Sequence, residues 1–357
     1  MVTDGATFTD LQTRDTSYSV RPLDPTGMSC RVTTTADSGH YRIVTDYVTD
    51  PGRDALLLRI RFQPLVPGDL CLYLRFDPTV NGNGGGGSGT VDTSTGHPVP
   101  VAADPVTATN AANRDYARPV HVALDASTPF TEVSNGFAGT ASDGLTQLDR
   151  DHALTATYAE AARSNLVQTA RADLAAGNEL TLALGFGTTQ GEAVATAGAA
   201  LGGGFGRALV RYAAGWVGYD AGLVPPPGRF PGLDAATARE LARVYYLSAN
   251  VLKASEDKTF PGAVVASLAS PWGRRSRPAT PTTPTSAPTA RCSPATCTRP
   301  SPDCCWSATA PPPATRSSSC SSASSSPTAR CPATAWSTAS WRPTASASSS
   351  TRSPTRS

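Results

Sequence analysis

Few residues in this chain are of a type and spacing that could do chemistry. Glu256 and Asp257 are adjacent carboxylates. A carboxyl pair can split a glycosidic bond, one as acid and one as base, when about 6.5–9.5 Å separates the two across the bond. Adjacent helical residues point about 100° apart and do not share a cleft. The pair therefore reads as a polar cluster at a helix end, with Lys253 and Lys258. His40, His97, His121 and His152 show no HxH or HExxH spacing, so no metal site is expected from them. The glycine-rich run from Asn81 to Gly89 is followed by Thr90-Val91, where a phosphate cradle needs Lys and then Ser or Thr. It reads as a flexible hairpin loop. Ser255, Ser267 and Ser270 lie in no GxSxG elbow, which leaves nucleophilic serine chemistry without support. Cys30 and Cys71 stand alone in the first 273 residues and read as small buried side chains, not a bridge. No catalytic residue emerges.

The elements around these residues are mostly strands. Leu56, Leu58, Ile60 and Phe62 alternate with Arg59 and Arg61. Leu70, Leu72, Leu74 and Phe76 alternate in the same way with Tyr73 and Arg75. A period of two places one face on a core and the other in water. Pro64 and Pro67-Gly68-Asp69 supply turn chemistry between the two, so they read as a hairpin. Tyr41–Thr49, after the Asp37-Ser38-Gly39 turn, and Leu180 to Phe186 are further strands. Many short strands bounded by turn residues indicate a sandwich. Helical spacing follows at Leu209, Tyr212, Trp216, Tyr219 and Leu223. Pro225-Pro226-Pro227-Gly228 reads as a stiff linker. Asp234 is a good N-cap for a second helix, whose Leu241, Val244, Tyr245, Ser248, Val251 and Leu252 share one face.

The last 84 residues, Arg274 to Ser357, use only Arg, Ser, Pro, Ala, Thr, Cys, Asp and Trp. They hold ten Arg and one Asp, so +9; the first 273 residues hold 20 basic and 27 acidic residues, so −7. The overall net charge of +2 averages two unlike parts. With almost nothing apolar to bury, the tail cannot offset about 1–2 kcal/mol per residue of backbone entropy and is expected to be disordered. Its arginines form no basic run, so no nucleic-acid partner is expected. No stretch reaches about 18 apolar residues, so no membrane span is expected. Met1-Val-Thr-Asp-Gly lacks signal-peptide order, so a cytoplasmic location is expected for the chain as written.

The segment Val251 to Gly273 (VLKASEDKTFPGAVVASLASPWG) closely resembles the opening of the catalytic domain of bacterial glucoamylases and glucodextranases, glycoside hydrolase family 15. Weaker pieces occur upstream in the family's order: Val2 to Phe8, Arg14-Asp-Thr16, Ser134 to Phe137 with Ser142 to Gly144, Val167 to Thr169, Leu182 to Gly187, and Gly215-Trp216 with Tyr219. The resemblance implies a mainly β fold: a large antiparallel β-sandwich at residues 1–203, a helix and Pro-rich linker at 204–233, and the first helix and following segment of an (α/α)6 barrel at 234–273. The chain opens at the family's Val-Thr-Asp-Gly strand, so earlier sandwich strands are expected to be absent. The parent enzyme implied is exo-acting and inverting, releases glucose from α-glucan ends, and uses two barrel glutamates that this chain does not contain. The resemblance further implies a secreted parent, α-glucan oligosaccharide or polysaccharide partners, no required cofactor, room for a structural Ca2+ that cannot be placed, and a substrate contact from Trp272. It does not separate α-1,4 from α-1,6 preference.

Beyond Gly273 the resemblance stops. The alphabet of 274–357 is that of a GC-rich gene read out of frame. Moving each codon boundary back one base lets Cys292 to Trp306 encode VFSRDLYEAFTGLLL, whose Arg-Asp would grip the sugar in the family's first subsite. The expectation is a frameshift near residue 273 and a chain without catalytic activity. Two other roles fit the residues: a stand-alone carbohydrate-binding or scaffold module, and a secreted protein with a Ser/Thr/Pro-rich stalk.

Overall fold

The computed structural model describes residues 1–80, 87–104, 119–174, 177–256 and 262–264. Expectations for Trp272 and for residues 274–357 lie outside these. The described residues form fourteen strands and four helices.

Two antiparallel sheets face each other. The larger takes β3 (Thr16–Pro22), β4 (Cys30–Ala36), β5 (Tyr41–Thr49), β6 (Ala55–Pro64), β8 (Gly87–Asp92), β9 (Val99–Asp104), β10 (Val120–Ala126), β12 (Glu160–Ser164) and β14 (Glu179–Gly187). Its order is β12-β8-β9-β10-β14-β6-β5-β4-β3. The smaller takes β1 (Val2–Thr3), β2 (Thr9–Asp10), β7 (Cys71–Phe76), β11 (Glu132–Phe137) and β13 (Leu166–Arg171), in the order β11-β13-β7-β1-β2. The mainly β sandwich read from the sequence is the fold observed. β1 lies inside its sheet, between β7 and β2, and the Met1 ammonium donates to the Tyr73 carbonyl at 2.7 Å. The open edge of the large sheet is β3, which exposes Tyr18 and Val20.

The core between the sheets follows from alternation. Tyr41, Ile43, Ile60, Phe62, Leu124, Leu180 and Leu182 point inward from the large sheet, and Val2, Leu72 and Ala170 meet them from the small one. Tyr41 and Phe62 stack at 5.8 Å. β6 and β7 are not a hairpin, because β6 pairs with β5 and β14 whereas β7 pairs with β1 and β13. The turn after Pro64 crosses the sandwich, and the two leucine rows face each other through the core. An arch and a hairpin bury the same alternate residues, so the pattern cannot tell them apart. The glycine-rich run is not a hairpin loop either. It lies between β7 and β8, which belong to different sheets, and its residues 81–86 are outside the described set. Cys30 and Cys71 are unbridged and half-buried, not fully buried, one in each sheet.

The outer face of the large sheet is covered as well. Helix α2 (Gln190–Gly203) starts at Thr189, whose side chain accepts from Glu192 N, while the Glu192 carboxylate accepts from Thr188 N at 2.8 Å. This reciprocal cap is a helix-start signal that the strand reading of 1–203 passed over. Ala193, Ala197 and Ala200 press α2 onto Ala123, Ala183 and Leu57. A Cβ on Gly185 would sit 2.3 Å from Ala197 N and 2.5 Å from Ala193 O, so helix and strand backbones touch. Helix α1 (Gly144–Asp151) caps the small sheet, with Leu148 packed on Tyr73 and Met1.

Arg59 and Arg61 do not simply face water. With Arg31 they surround Asp46, a fully buried carboxylate on β5, at 2.6–3.0 Å. Burial works to raise the Asp46 pKa, but hydrogen bonds from Arg31 and Arg59 and the nearby positive charges outweigh it and hold the carboxyl below its ordinary value. The Arg59 guanidinium also lies 4.6 Å from the centre of the Phe205 ring.

Two variants test this packing. Gly185→Ala should destabilise by about 1–3 kcal/mol, because the new methyl meets helix backbone and not a side chain that can move aside; an unchanged chemical-denaturation midpoint would contradict the contact. Asp46→Asn leaves three guanidiniums without a counter-charge. The loss should be on the order of 2–3 kcal/mol, below the value for a fully buried pair because the arginines are partly solvated, and should appear as a lower melting temperature.

Candidate functional site

The residues singled out for chemistry do not converge. Glu256 pairs with Lys253 and accepts from Gly262 N at 2.8 Å, as expected of a helix-end cluster; Asp257 and Lys258 lie outside the described residues. His97 Nε2 is 2.9 Å from Asp125, His152 Nδ1 is 3.0 Å from Thr9 Oγ1, and His40 packs on the Phe8 ring. Burial lowers the pKa of His121. Among the described residues no group of three or more His, Cys, Asp or Glu could hold a metal ion. Ser255 Oγ donates back to the Val251 carbonyl at 3.0 Å, while Ser267 and Ser270 fall outside the described set.

Two surface depressions are present. One is lined by Asn135, Phe137, Ser142, Tyr158 and Glu160. Its Asn135 amide donates to the Tyr158 and Ala159 carbonyls, and its Ser142 hydroxyl is taken by Phe137 N and Thr140. Little hydrogen-bonding capacity is left for a ligand. The other lies between α2 and the β5–β6 turn, with Arg53, Asp54 and Glu192 at its rim.

A more organised surface forms where two helices leave the sandwich. α3 (Phe205–Ala221) sits on the large sheet through Phe205, Ala208 and Tyr212. Arg211 donates to the buried Asp50 at 2.9 Å, beside Arg53 at the same distance. Tyr212, Trp216 and Tyr219 stack edge to face along the helix at 6.1 and 5.9 Å. The sequence stripe on this helix is thus a docking stripe. α4 (Ala235–Ala254) begins at Asp234, whose carboxylate accepts from Ala236 N and Thr237 N. It rests on α3 and on the loop from Asp24 to Ser29. Leu247 lies 3.2 Å from where a Cβ on Gly27 would be, a position whose φ of +74° already favours glycine. The fully buried Asn250 donates to Thr26 O at 3.4 Å, Tyr245 Oη donates to Val224 O at 2.7 Å, and the Lys253 ammonium stands 5.8 Å from the Tyr219 ring centre. Leu241, Val244, Val251 and Leu252, most of the face picked out in the sequence, remain exposed. Asn250 and Thr26 were missed as contact residues because no local pattern joins positions so far apart in the chain.

No single helix among the described residues is long and apolar enough to cross a membrane. The sequence profile of glucodextranase domain N matches residues 1–221, which end with α3. The glucoamylase of Clostridium sp. (strain G0005) is 30% identical over 275 residues, covering 76% of this chain and 36% of that protein. A bacterial glucoamylase whose crystal structure was solved in complex with acarbose superposes with a TM-score of 0.64 at 30% identity, over 76% of this chain and 37% of that one. The chain therefore spans a little over a third of the length of these relatives, and the alignable part reaches past the domain N profile to include α4. A sandwich whose outer sheet carries two helices, the match over 1–221 and the similarity to glucoamylases lead to one conclusion: the chain belongs to the glucodextranase domain N family, the N-terminal sandwich of glucoamylase-type glycoside hydrolases.

Proposed function

We propose that this chain is the N-terminal, non-catalytic part of an exo-acting, inverting α-glucan hydrolase, and that its work is to position the first helix of the catalytic barrel. The observation that carries this reading is α4. The helix lies beyond the residues matched as domain N, is seated on the sandwich by one side, and turns Leu241, Val244, Val251 and Leu252 outward, the apolar stripe a neighbouring helix would cover. The substrate class follows from the relatives: a glucoamylase by name, and a glucoamylase that binds acarbose.

The state of the carboxylates supports a chain that does not itself cut sugar. Inverting hydrolysis needs one acid and one base carboxyl facing across a bond, with water between. Asp46, Asp50, Asp125 and Asp143 are buried and held by arginines or, for Asp125, by His97. The two carboxyls whose pKa is raised, Asp10 and Asp220, line neither depression. The commitments inside the Tyr158 depression also weigh against a free-standing sugar-binding module. A secreted parent and a domain boundary near residue 203 belong to the same reading.

The purified chain should release no glucose from maltooligosaccharides or isomaltooligosaccharides above the buffer rate. It should also show no calorimetric binding of either. Release of β-glucose would overturn the non-catalytic assignment, and binding without release would favour the sugar-binding module instead.

A further inference from the structure

Where α3, α4 and the Asp24–Ser29 loop meet, two oxygens are buried without a donor. They are Asp220 Oδ1 and Asn250 Oδ1, side chains that lie against each other. Asn250 is fully buried, and its amide nitrogen is directed to the Thr26 carbonyl. Two carbonyl-type oxygens cannot bond to each other unless a proton stands between them, and leaving both unmet is costly.

We propose that Asp220 carries a proton when α4 is seated, its carboxyl O–H donating to Asn250 Oδ1, so that α4 is held to the sandwich by an acid-strengthened latch. The surrounding charges agree. The loop contributes Asp24, whose carboxylate is spent on Thr26 and Ser29 and adds a like charge near Asp220. α3 contributes Tyr212 and Tyr219, α4 contributes Tyr245, Lys253 and Glu256, and β4 contributes Cys30. The cations of the region are committed elsewhere, Lys253 to Glu256 and Arg211 to Asp50. Burial first, and then Asp24, push the Asp220 pKa up, against the pull of Asn250. A carboxyl raised in the folded state stabilises most below its ordinary value of 3.8 and loses that contribution as pH climbs through the raised value. The latch thus tightens in acid. It stands independently of any catalytic role of the parent.

Hydrogen exchange of the Ala235–Ala254 amides in the full chain, corrected for intrinsic rates, tests the latch. Protection should fall between about pH 4 and about pH 8, by about tenfold per pH unit through the titration. Asp220→Asn should keep its protection across that range, because an amide donates to Asn250 Oδ1 without titrating. Asn250→Asp puts two carboxyls on one proton and should move the midpoint upward. A flat wild-type profile would overturn the proposal, as would an Asp220→Asn chain that loses protection as the wild type does, or an unmoved midpoint in Asn250→Asp. Protection restored at high pH by calcium chloride would also overturn it, in favour of a bound cation.

Discussion

The contact between α2 and β14 governs much of the rest. Gly185 and Gly187 present no side chain, and Ala193 and Ala197 bring the helix backbone to within touching distance. A small-on-small contact of this kind lets one helix lie flat on a sheet. It makes the outer face of the large sheet a second core and leaves that sheet buried on both sides. α3 starts at Phe205, directly after α2, so its direction is inherited from that seat. Phe205 and Ala208 then extend the same apolar cluster.

Electrostatics complete the attachment. Asp46 gathers arginines from β4 and β6, and one of these covers the Phe205 ring. Asp50 ties the β5–β6 turn to Arg211 on α3. Each carboxylate is buried while its arginines are partly solvated, an arrangement that neutralises the anion without taking the whole pair out of water. These contacts specify where α3 sits more than they add net stability. α4 is then placed by a smaller set of contacts, through Leu247, Tyr245 and Asn250. Moving outward from the sandwich, the attachment becomes smaller and more polar, as expected of an element whose main partner lies elsewhere.

Much of the fold was legible. Tyr41–Thr49 is the strand its alternation announces, and Leu180 and Leu182 point to the core as their spacing requires. Asp234 caps α4 through the bonds its side chain was expected to make. Other features were not legible, for definite reasons. Leu56 to Phe76 looked like a hairpin because alternation records which face is buried and says nothing about which strand is the neighbour. Arg59 and Arg61 looked solvent-facing because their partner Asp46 is on another strand. α2 was overlooked although Thr189 and Glu192 mark its start, since its Ala- and Gly-rich face carries little hydrophobic periodicity. The absence of a converging catalytic group among the residues flagged for chemistry was legible, and the docking surface was not.

By itself, the sequence determined the periodicities: which residues of each strand face a core, where α3 and α4 begin, and how unlike its neighbours the segment after Gly273 is. Those properties are local, set by backbone geometry and by the composition of a few adjacent residues. Only the tertiary structure decided which sheet each strand joins, that the large sheet is covered on both faces, and that Asp220, Asn250 and Thr26 meet. These are long-range pairings. They depend on shape and charge matching between segments that a linear pattern does not connect, and they exist only once the chain has closed on itself.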